Sequence, residues 1–137
     1  MSAMKLTFHL MSTLALSLLL YPFYGALSFL SFLGGFFIDV DHYIYYIMKE
    51  KDFDIIKSYR YFSTRSFKDF RDQLFIFHTF EFIIPMVIVS FFSEIAFIIT
   101  LGLLLHLCAD WYQEYSRRYR VKALSILYVM LKKPLKK

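Results

Sequence analysis

Four apolar stretches, each near the length that crosses a bilayer, constrain this 137-residue chain more than any other feature. A transmembrane helix needs about 20 predominantly apolar residues. The sequence predicts such helices at residues 6–21, 23–38, 74–92 and 95–111. The chain is 58% hydrophobic and 21% aromatic, whereas ordinary soluble domains are roughly 45–50% apolar. The sequence therefore predicts an integral membrane protein.

The connections between these stretches predict how the helices run. Pro22 falls between the first two stretches and Gly25 follows three residues later, where they indicate a helix stop and a turn. Only Ser93 and Glu94 separate the last two. Short connections make neighbouring helices antiparallel, so we expect an all-α, four-helix transmembrane bundle in up-down-up-down order. The sequence contains no linker-like or repeated segment, which favours a single domain over residues 1–137.

The basic residues predict the orientation of such a bundle. All 16 lysines and arginines fall on one side: Lys5, seven in a loop at residues 49–72 and eight in a tail at residues 117–137. The positive-inside rule assigns this side to the cytoplasm, so we expect both termini there. The tail mixes apolar and basic residues in a pattern that is typical of an amphipathic helix at the membrane surface.

The four histidines of the chain all lie in or beside the apolar stretches, and three have carboxylates close by in sequence. The motifs are Asp39-Val-Asp41-His42, His78-Thr-Phe-Glu81 and His106-Leu-Cys-Ala-Asp110. The spacings of three and four residues place each histidine and acid on one helix face. With the predicted topology, these groups and His9 lie at one depth near the cytoplasmic ends of four helices. Imidazole with carboxylate suits Zn²⁺, Mn²⁺ or Fe²⁺.

Non-enzymatic interpretations compete with a metal site. A single histidine is more often a packing or capping residue than a ligand. The same layer would also serve an ion or proton conduit, or the bundle could recruit a partner through its basic face. A conduit needs polar groups across the full membrane depth, yet residues 14–20, 85–92 and 95–101 offer only Ser17, Ser90 and Thr100. The one-sided layer therefore favours an enzyme over a conduit. A carboxylate at membrane depth also costs roughly 2.5–3.5 kcal/mol, so Glu81, His78 and His106 need partners or a wet cavity.

The same motifs, together with Thr7-Phe8-His9, resemble in order and spacing those of the LexA-regulated inner-membrane metal-dependent hydrolases, the YdjM-like family. That family is grouped with zinc-dependent phospholipases C and single-strand nucleases, which are helical and bind a zinc cluster. The resemblance implies a bacterial or archaeal inner membrane and one to three divalent ions, preferably zinc, with manganese or iron as alternatives. It implies these ligands: His9, Asp39, Asp41, His42, His78, His106 and Asp110. Ile38 stands where the family has proline before its Asp-x-Asp-His motif.

These expectations define a metal-dependent hydrolase. A bound cation would lower the pKa of a water towards about 7 and polarise a phosphoryl oxygen, with Asp41 or Glu81 as the catalytic base. The basic loop would lie beside anionic headgroups, which favours a phospholipid or a similar phosphorylated amphiphile as substrate. Arg60, Arg65 and Arg71 are the candidate phosphate contacts. Nucleic acid is the less favoured alternative.

Overall fold

The computed structural model of the chain describes residues 6–64, 75–116 and 125–127. These residues are helical almost throughout and include no strand, which confirms the all-helical expectation. The α-helices are α1 (Leu6–Tyr24), α2 (Ser31–Gly35), α3 (Val40–Glu50), α4 (Ile55–Thr64), α5 (Phe80–Ser90) and α6 (Glu94–Ser116). Short 3-10 turns at Gly25–Leu30, Phe37–Asp39 and Ile76–His78 connect or precede them.

Within the described residues, two helical stretches are long and apolar enough to cross a membrane, Thr7–Glu50 and Glu94–Tyr112. The predicted span at residues 23–38 is part of the first stretch and is broken into α2 and two 3-10 turns. The predicted span at residues 74–92 contains only α5, whose 11 residues reach about 16 Å at 1.5 Å per residue. The prediction of four separate long helices is therefore wrong in its element bounds.

The first of these stretches folds back on itself at Gly25. We predicted that α1 would stop at Pro22, but the helix continues through this proline to Tyr24. A proline there removes one hydrogen bond in the last turn, where the helix is about to end in any case. Gly25 has φ +55°, in the left-handed region that glycine adopts without strain, and it ends the helix.

Small residues bring α1, α2 and α6 into close contact along what we call the seam. The seam consists of Thr13, Ser17, Ser28, Ser31, Gly34, Gly35 and Gly102, all of them buried. The Ser17 and Ser31 hydroxyls lie 2.7 Å apart, and a Cβ at Gly35 would meet Thr13. A Cβ at Gly102 would overlap the Ser31 carbonyl oxygen. Glycine and serine at these positions allow the backbones to approach closely, as in packed membrane helices.

The paired residues also give the helix directions. Ser17 with Ser31 and Thr13 with Gly35 make α1 and α2 antiparallel, because one number rises as the other falls. Gly102 lies against Ser31, and the His106 ring bonds the Gly35 carbonyl, so α2 and α6 run parallel. The Thr100 hydroxyl bonds the Met86 carbonyl at 3.3 Å, and His78 meets His106, so α5 and α6 are antiparallel. Successive segments α1, α2, α5 and α6 therefore alternate in direction.

The predicted loop at residues 49–72 contains a helix, α4, in its described part. Asp54 begins α4 by accepting hydrogen bonds from two backbone N–H groups of the first turn, at 2.8 and 3.0 Å. Tyr61 of α4 then packs edge-to-face on Tyr46 of α3, with ring centroids 5.4 Å apart, and both rings are buried. The predicted amphipathic tail at residues 117–137 lies outside the described residues apart from residues 125–127.

Candidate metal centre

The seven predicted ligands come from separate elements but meet at one end of the paired helices. His9 lies in α1, Asp39 in the 3-10 turn before α3, Asp41 and His42 in α3, His78 in the 3-10 turn before α5, and His106 and Asp110 in α6. Contacts between ring nitrogens and carboxylate oxygens connect all seven, and we call them the His/Asp cluster. The structure thus brings together side chains that the sequence places near the ends of several apolar stretches.

Two buried histidines face each other at the centre of the cluster. The Nε2 atoms of His78 and His106 lie 3.3 Å apart. His106 Nδ1–H donates to the Gly35 carbonyl oxygen at 3.0 Å, and His78 Nδ1–H donates to Asp41 Oδ2 at 3.1 Å. A carbonyl or carboxylate oxygen accepts hydrogen bonds, so in the neutral rings it fixes the proton on Nδ1. Both Nε2 lone pairs then point at the same small space, where one cation or one shared proton would satisfy both.

Two carboxylates border the same space. Asp39 Oδ1 lies 3.4 Å from His106 Nε2 and 3.8 Å from His78 Nε2. Asp110 Oδ2 lies 3.8 Å from the first of these nitrogens and 3.7 Å from the second. Ligand atoms that bind zinc tetrahedrally at about 2.0–2.1 Å are separated by about 3.3 Å. His78, His106 and Asp110 form a group whose ligand atoms lie within 4.8 Å of one another. Their separations of 3.3–3.8 Å, with Asp39 Oδ1 at 3.4 and 3.8 Å from the two nitrogens, fit the spacing of donors around one divalent metal ion.

Asp41 lies behind this set. Its Oδ1 atom accepts a hydrogen bond from His42 Nδ1 at 2.7 Å, and its Oδ2 atom accepts from the Phe77 backbone N–H at 3.3 Å as well as from His78. A carboxylate that holds the far nitrogen of a ligating histidine fixes the orientation and tautomer of that ring. The contacts therefore suit Asp41 as an orienting residue, whereas the sequence analysis had named it as a ligand and as a base.

His9 and His42 flank the cluster on opposite sides. His9 stacks on the His106 ring with centroids 4.0 Å apart, and its Nε2 lies 3.4 Å from Asp110 Oδ1. The Nδ1 atom of His9 is buried and has no hydrogen-bond partner among the described residues. His42 stacks on Phe75 at 3.9 Å between centroids. His9 with Asp39 and His106, and His42 with Asp39 and His78, form further groups whose ligand atoms lie within 4.8 Å of one another.

Glu81 does not join the cluster, contrary to its predicted role as a base. Its carboxylate accepts a hydrogen bond from the Ser125 hydroxyl at 2.6 Å and another from the Leu127 N–H at 3.2 Å, in an exposed position. The prediction assumed one continuous helix through His78 and Glu81. Thr79 instead has an extended conformation, with φ −93° and ψ 152°, and α5 begins only at Phe80. The helical spacing argument therefore does not apply across this break.

The predicted phosphate contacts are described only in part. Arg60 lies on α4 with an exposed side chain, while Arg65 and Arg71 lie outside the described residues. Sequence reasoning missed two groups that orient the site: the Gly35 carbonyl and the Phe77 N–H. Gly34-Gly35 is the sequence signal for the first, because paired glycines expose their backbone to a neighbouring helix. No sequence signal marks the second, since any residue there supplies the same N–H.

The chain matches no protein-family model, no curated protein and no solved structure.

Proposed function

We propose that the protein is a membrane-embedded, metal-dependent hydrolase that cleaves a phosphoester in a phospholipid or a similar amphiphile. The single observation that carries this proposal is the pair of buried histidines whose Nε2 atoms face each other at 3.3 Å. Oxygen atoms accept hydrogen bonds from the Nδ1 atoms of both rings, and such contacts commonly orient histidines that bind a metal through Nε2. The YdjM-like resemblance of the motifs points to the same chemistry.

The outer surface supports a location in the bilayer. Large apolar side chains are exposed along α1, α5 and the connection to α6, and Phe92 is 86% exposed. Monomeric soluble proteins rarely carry contiguous apolar surface of this extent. The alternating helices would then form the transmembrane bundle expected from the sequence. The His/Asp cluster lies at the end where α1 begins and α6 finishes. The basic residues 117–137 follow α6 in sequence, so the positive-inside rule assigns this end to the cytoplasm.

The residues of the chain divide the work in this proposal. His78, His106, Asp39 and Asp110 would hold the ion, which when bound would polarise a phosphoryl oxygen and lower the pKa of a water. Asp41 orients His78. Because Glu81 faces away and both oxygens of Asp41 accept hydrogen bonds, neither suits the role of base. His9 is better placed to accept a proton, since its buried Nδ1 has no hydrogen-bond partner among the described residues.

Elemental analysis of detergent-purified protein tests the metal site. We expect about one to three equivalents of zinc, manganese or iron in the wild type and loss of the metal in His78→Ala and His106→Ala. Asp52→Asn is the matched control, because Asp52 lies in the exposed turn after α3. Gel filtration establishes that each variant is folded. A wild-type protein that stays metal-free after incubation with each ion contradicts the proposal.

Turnover separates a hydrolase from a structural metal site. The purified protein is incubated with phosphatidic acid in vesicles, and released phosphate is measured. We expect phosphate release that chelation abolishes and added zinc restores. A metal-loaded wild type that hydrolyses neither this lipid nor a panel of phosphodiester lipids shows that the site is structural.

A proton conduit is the second candidate, and the seam favours it. Thr13 and Ser17 on α1, Ser28 in the next 3-10 turn and Ser31 on α2 extend from the cluster. Within the part of the chain that the structure describes, the buried Thr13 and Ser28 hydroxyls have no hydrogen-bond partner. The sequence analysis had counted only Ser17 in this part of the protein. Reconstituted vesicles with an imposed pH gradient test it: a flux that falls in Ser17→Ala/Ser31→Ala supports a conduit, and an intact gradient excludes one.

A further inference from the structure

An apolar cavity of about 260 Å³ lies between α2, α5 and α6, beside the His/Asp cluster. All its lining residues are apolar, so the cavity offers no side-chain donor or acceptor to a ligand. Pockets for drug-sized ligands measure about 300–1,000 Å³ and place a few polar groups to orient the ligand. This cavity is smaller and has no such groups. Its lining suits a flexible hydrocarbon segment.

The cavity opens on the outer apolar surface of the protein. Phe37, at 56% exposed, lines its mouth together with the exposed Leu33 and Val40. Its inner wall is formed by Ile38 and by Leu103, which is 1% exposed. In a bilayer the mouth faces lipid chains directly. A chain can therefore enter from the side without crossing water.

The inner end of the cavity adjoins the polar cluster. Ile38 immediately precedes Asp39, and Leu103 lies one helical turn before His106. Phe77 lines the cavity with its side chain, while its backbone N–H donates to Asp41. A molecule with a hydrocarbon chain here would thus have its polar end beside the candidate ligands.

We infer that this cavity is a binding site for one acyl chain of a bilayer phospholipid whose phosphoester lies at the His/Asp cluster. The inference rests on the proposed function and specifies its substrate as a chain-bearing lipid. A chain that moves from bilayer to cavity gains little hydrophobic free energy, because both surroundings are apolar. The cavity supplies position: it holds the chain so that the headgroup stays at the cluster.

Photocrosslinking tests the site directly. The probe is phosphatidic acid with a diazirine in its acyl chain, mixed into phosphatidylcholine vesicles that contain the full-length protein. After irradiation, labelled residues are identified by mass spectrometry, in the presence and absence of a chelator. We expect labelling to concentrate on cavity residues such as Phe82 and Met86 under both conditions, because chain binding does not need the metal.

Matched variants distinguish the cavity from the general lipid-facing surface. Leu33→Trp and Val40→Trp place a large ring at the mouth. Leu19→Trp and Val89→Trp make the same changes at exposed positions that do not line the cavity. We expect the first pair to reduce cavity labelling about tenfold, or about 1.4 kcal/mol, and the second pair to leave it unchanged. Gel filtration confirms that all four variants are folded.

Each remaining outcome decides the inference. Even labelling around the whole apolar surface, or equal labelling in both pairs of variants, means that only surrounding lipid was detected and overturns it. If the cavity is protected from labelling in a crosslinked dimer, a second copy of the chain occupies the cavity. That outcome also overturns the inference. Concentrated labelling without turnover leaves the chain site standing while the hydrolase proposal fails. If turnover is equal for lipids and for soluble phosphoesters, the hydrolase proposal stands and the inference of a chain site fails.

Discussion

The His/Asp cluster and the seam are both polar, largely buried and share helices α1 and α6, yet they differ in composition and contacts. The cluster contains imidazoles and carboxylates, and its central rings have two or more polar partners each. The seam contains hydroxyls and glycines. Two of its hydroxyls, those of Thr13 and Ser28, have no hydrogen-bond partner in the described part of the chain. Charge concentrated at one level indicates ligand chemistry. Small polar side chains spread along a helix indicate close packing.

The two regions are nonetheless coupled through Gly35. Its lack of a side chain lets Thr13 of α1 pack against it. Its carbonyl oxygen accepts a hydrogen bond from the Nδ1–H group of His106. The distance between helix backbones in the seam therefore determines whether this ring points its Nε2 at the candidate metal position. Stability and ligand geometry should respond differently to substitutions in the two regions, and the following predictions test that difference.

The largest effect is expected from Gly102→Ala in the seam. A Cβ there overlaps the Ser31 carbonyl group, which belongs to the backbone and cannot rotate away. We expect the free energy of unfolding in detergent to fall by about 2–4 kcal/mol, although alanine is the better helix former. Gly25→Ala is the control, because it meets no neighbouring atom and only its φ of +55° is unfavourable, at about 1–2 kcal/mol. Equal stability of Gly102→Ala and wild type would mean that α2 and α6 are farther apart.

The next largest effect is expected from Asp41→Asn in the cluster. The change keeps the shape of the side chain and removes the charge that holds His78 Nδ1. We expect metal affinity to fall about 10–100-fold, the usual result of losing an orienting partner. Competition with a coloured chelator measures the affinity, and circular dichroism checks the fold. An unchanged affinity in Asp41→Asn, with loss in His106→Ala, would assign Asp41 to packing alone.

A smaller effect is expected for the Ser17 and Ser31 hydroxyls. They lie 2.7 Å apart, and the Ser17 hydroxyl also contacts the Thr13 carbonyl oxygen at 2.9 Å. A double-mutant cycle with both alanine variants should give a coupling energy of about 0.6 kcal/mol, the average for such bonds in membrane proteins. Metal content should be unchanged in all three variants. A loss of metal here would show that the seam, too, contributes directly to the site.

The contrast between these regions was only half readable from the sequence. His106 and Asp110 share a face because α6 is continuous, so their spacing predicted their proximity. The same logic failed for His78 and Glu81, where extended Thr79 breaks the helix. Hydrophobicity marks which residues avoid water but not where a helix is interrupted, because tertiary contacts can override local helix preference.

The seam and the cavity were harder to predict than the cluster. Serine and glycine in an apolar stretch are compatible with many helix registers, and only the pairing of residues 17 with 31 and 31 with 102 defines this one. The Gly35 carbonyl that orients His106 follows from that register, so no local motif encodes it. The cavity likewise depends on the space between three helices. Residue type indicated which side chains gather at the site, while tertiary packing determined their orientation.

The smallest effect is expected for an ion pair outside both regions, the exposed pair of Asp52 and Lys57. Lys57 Nζ lies 2.8 Å from Asp52 Oδ2, and this hydrogen bond, followed by one from the Asp54 N–H, lowers the pKa of Asp52 from its usual value of 3.8. A lowered pKa in the folded state stabilises the protein above the unfolded value, and this contribution disappears as the pH falls through the folded value. Because the pair is exposed, the effect on unfolding should be barely measurable. NMR titration of the Asp52 carboxyl should show its pKa rising in Lys57→Gln, but not fully to 3.8, since the backbone bond remains. If Lys57→Gln also weakened metal binding, the exposed pair and the buried cluster would not be independent, and the division of the protein into separate polar regions would fail.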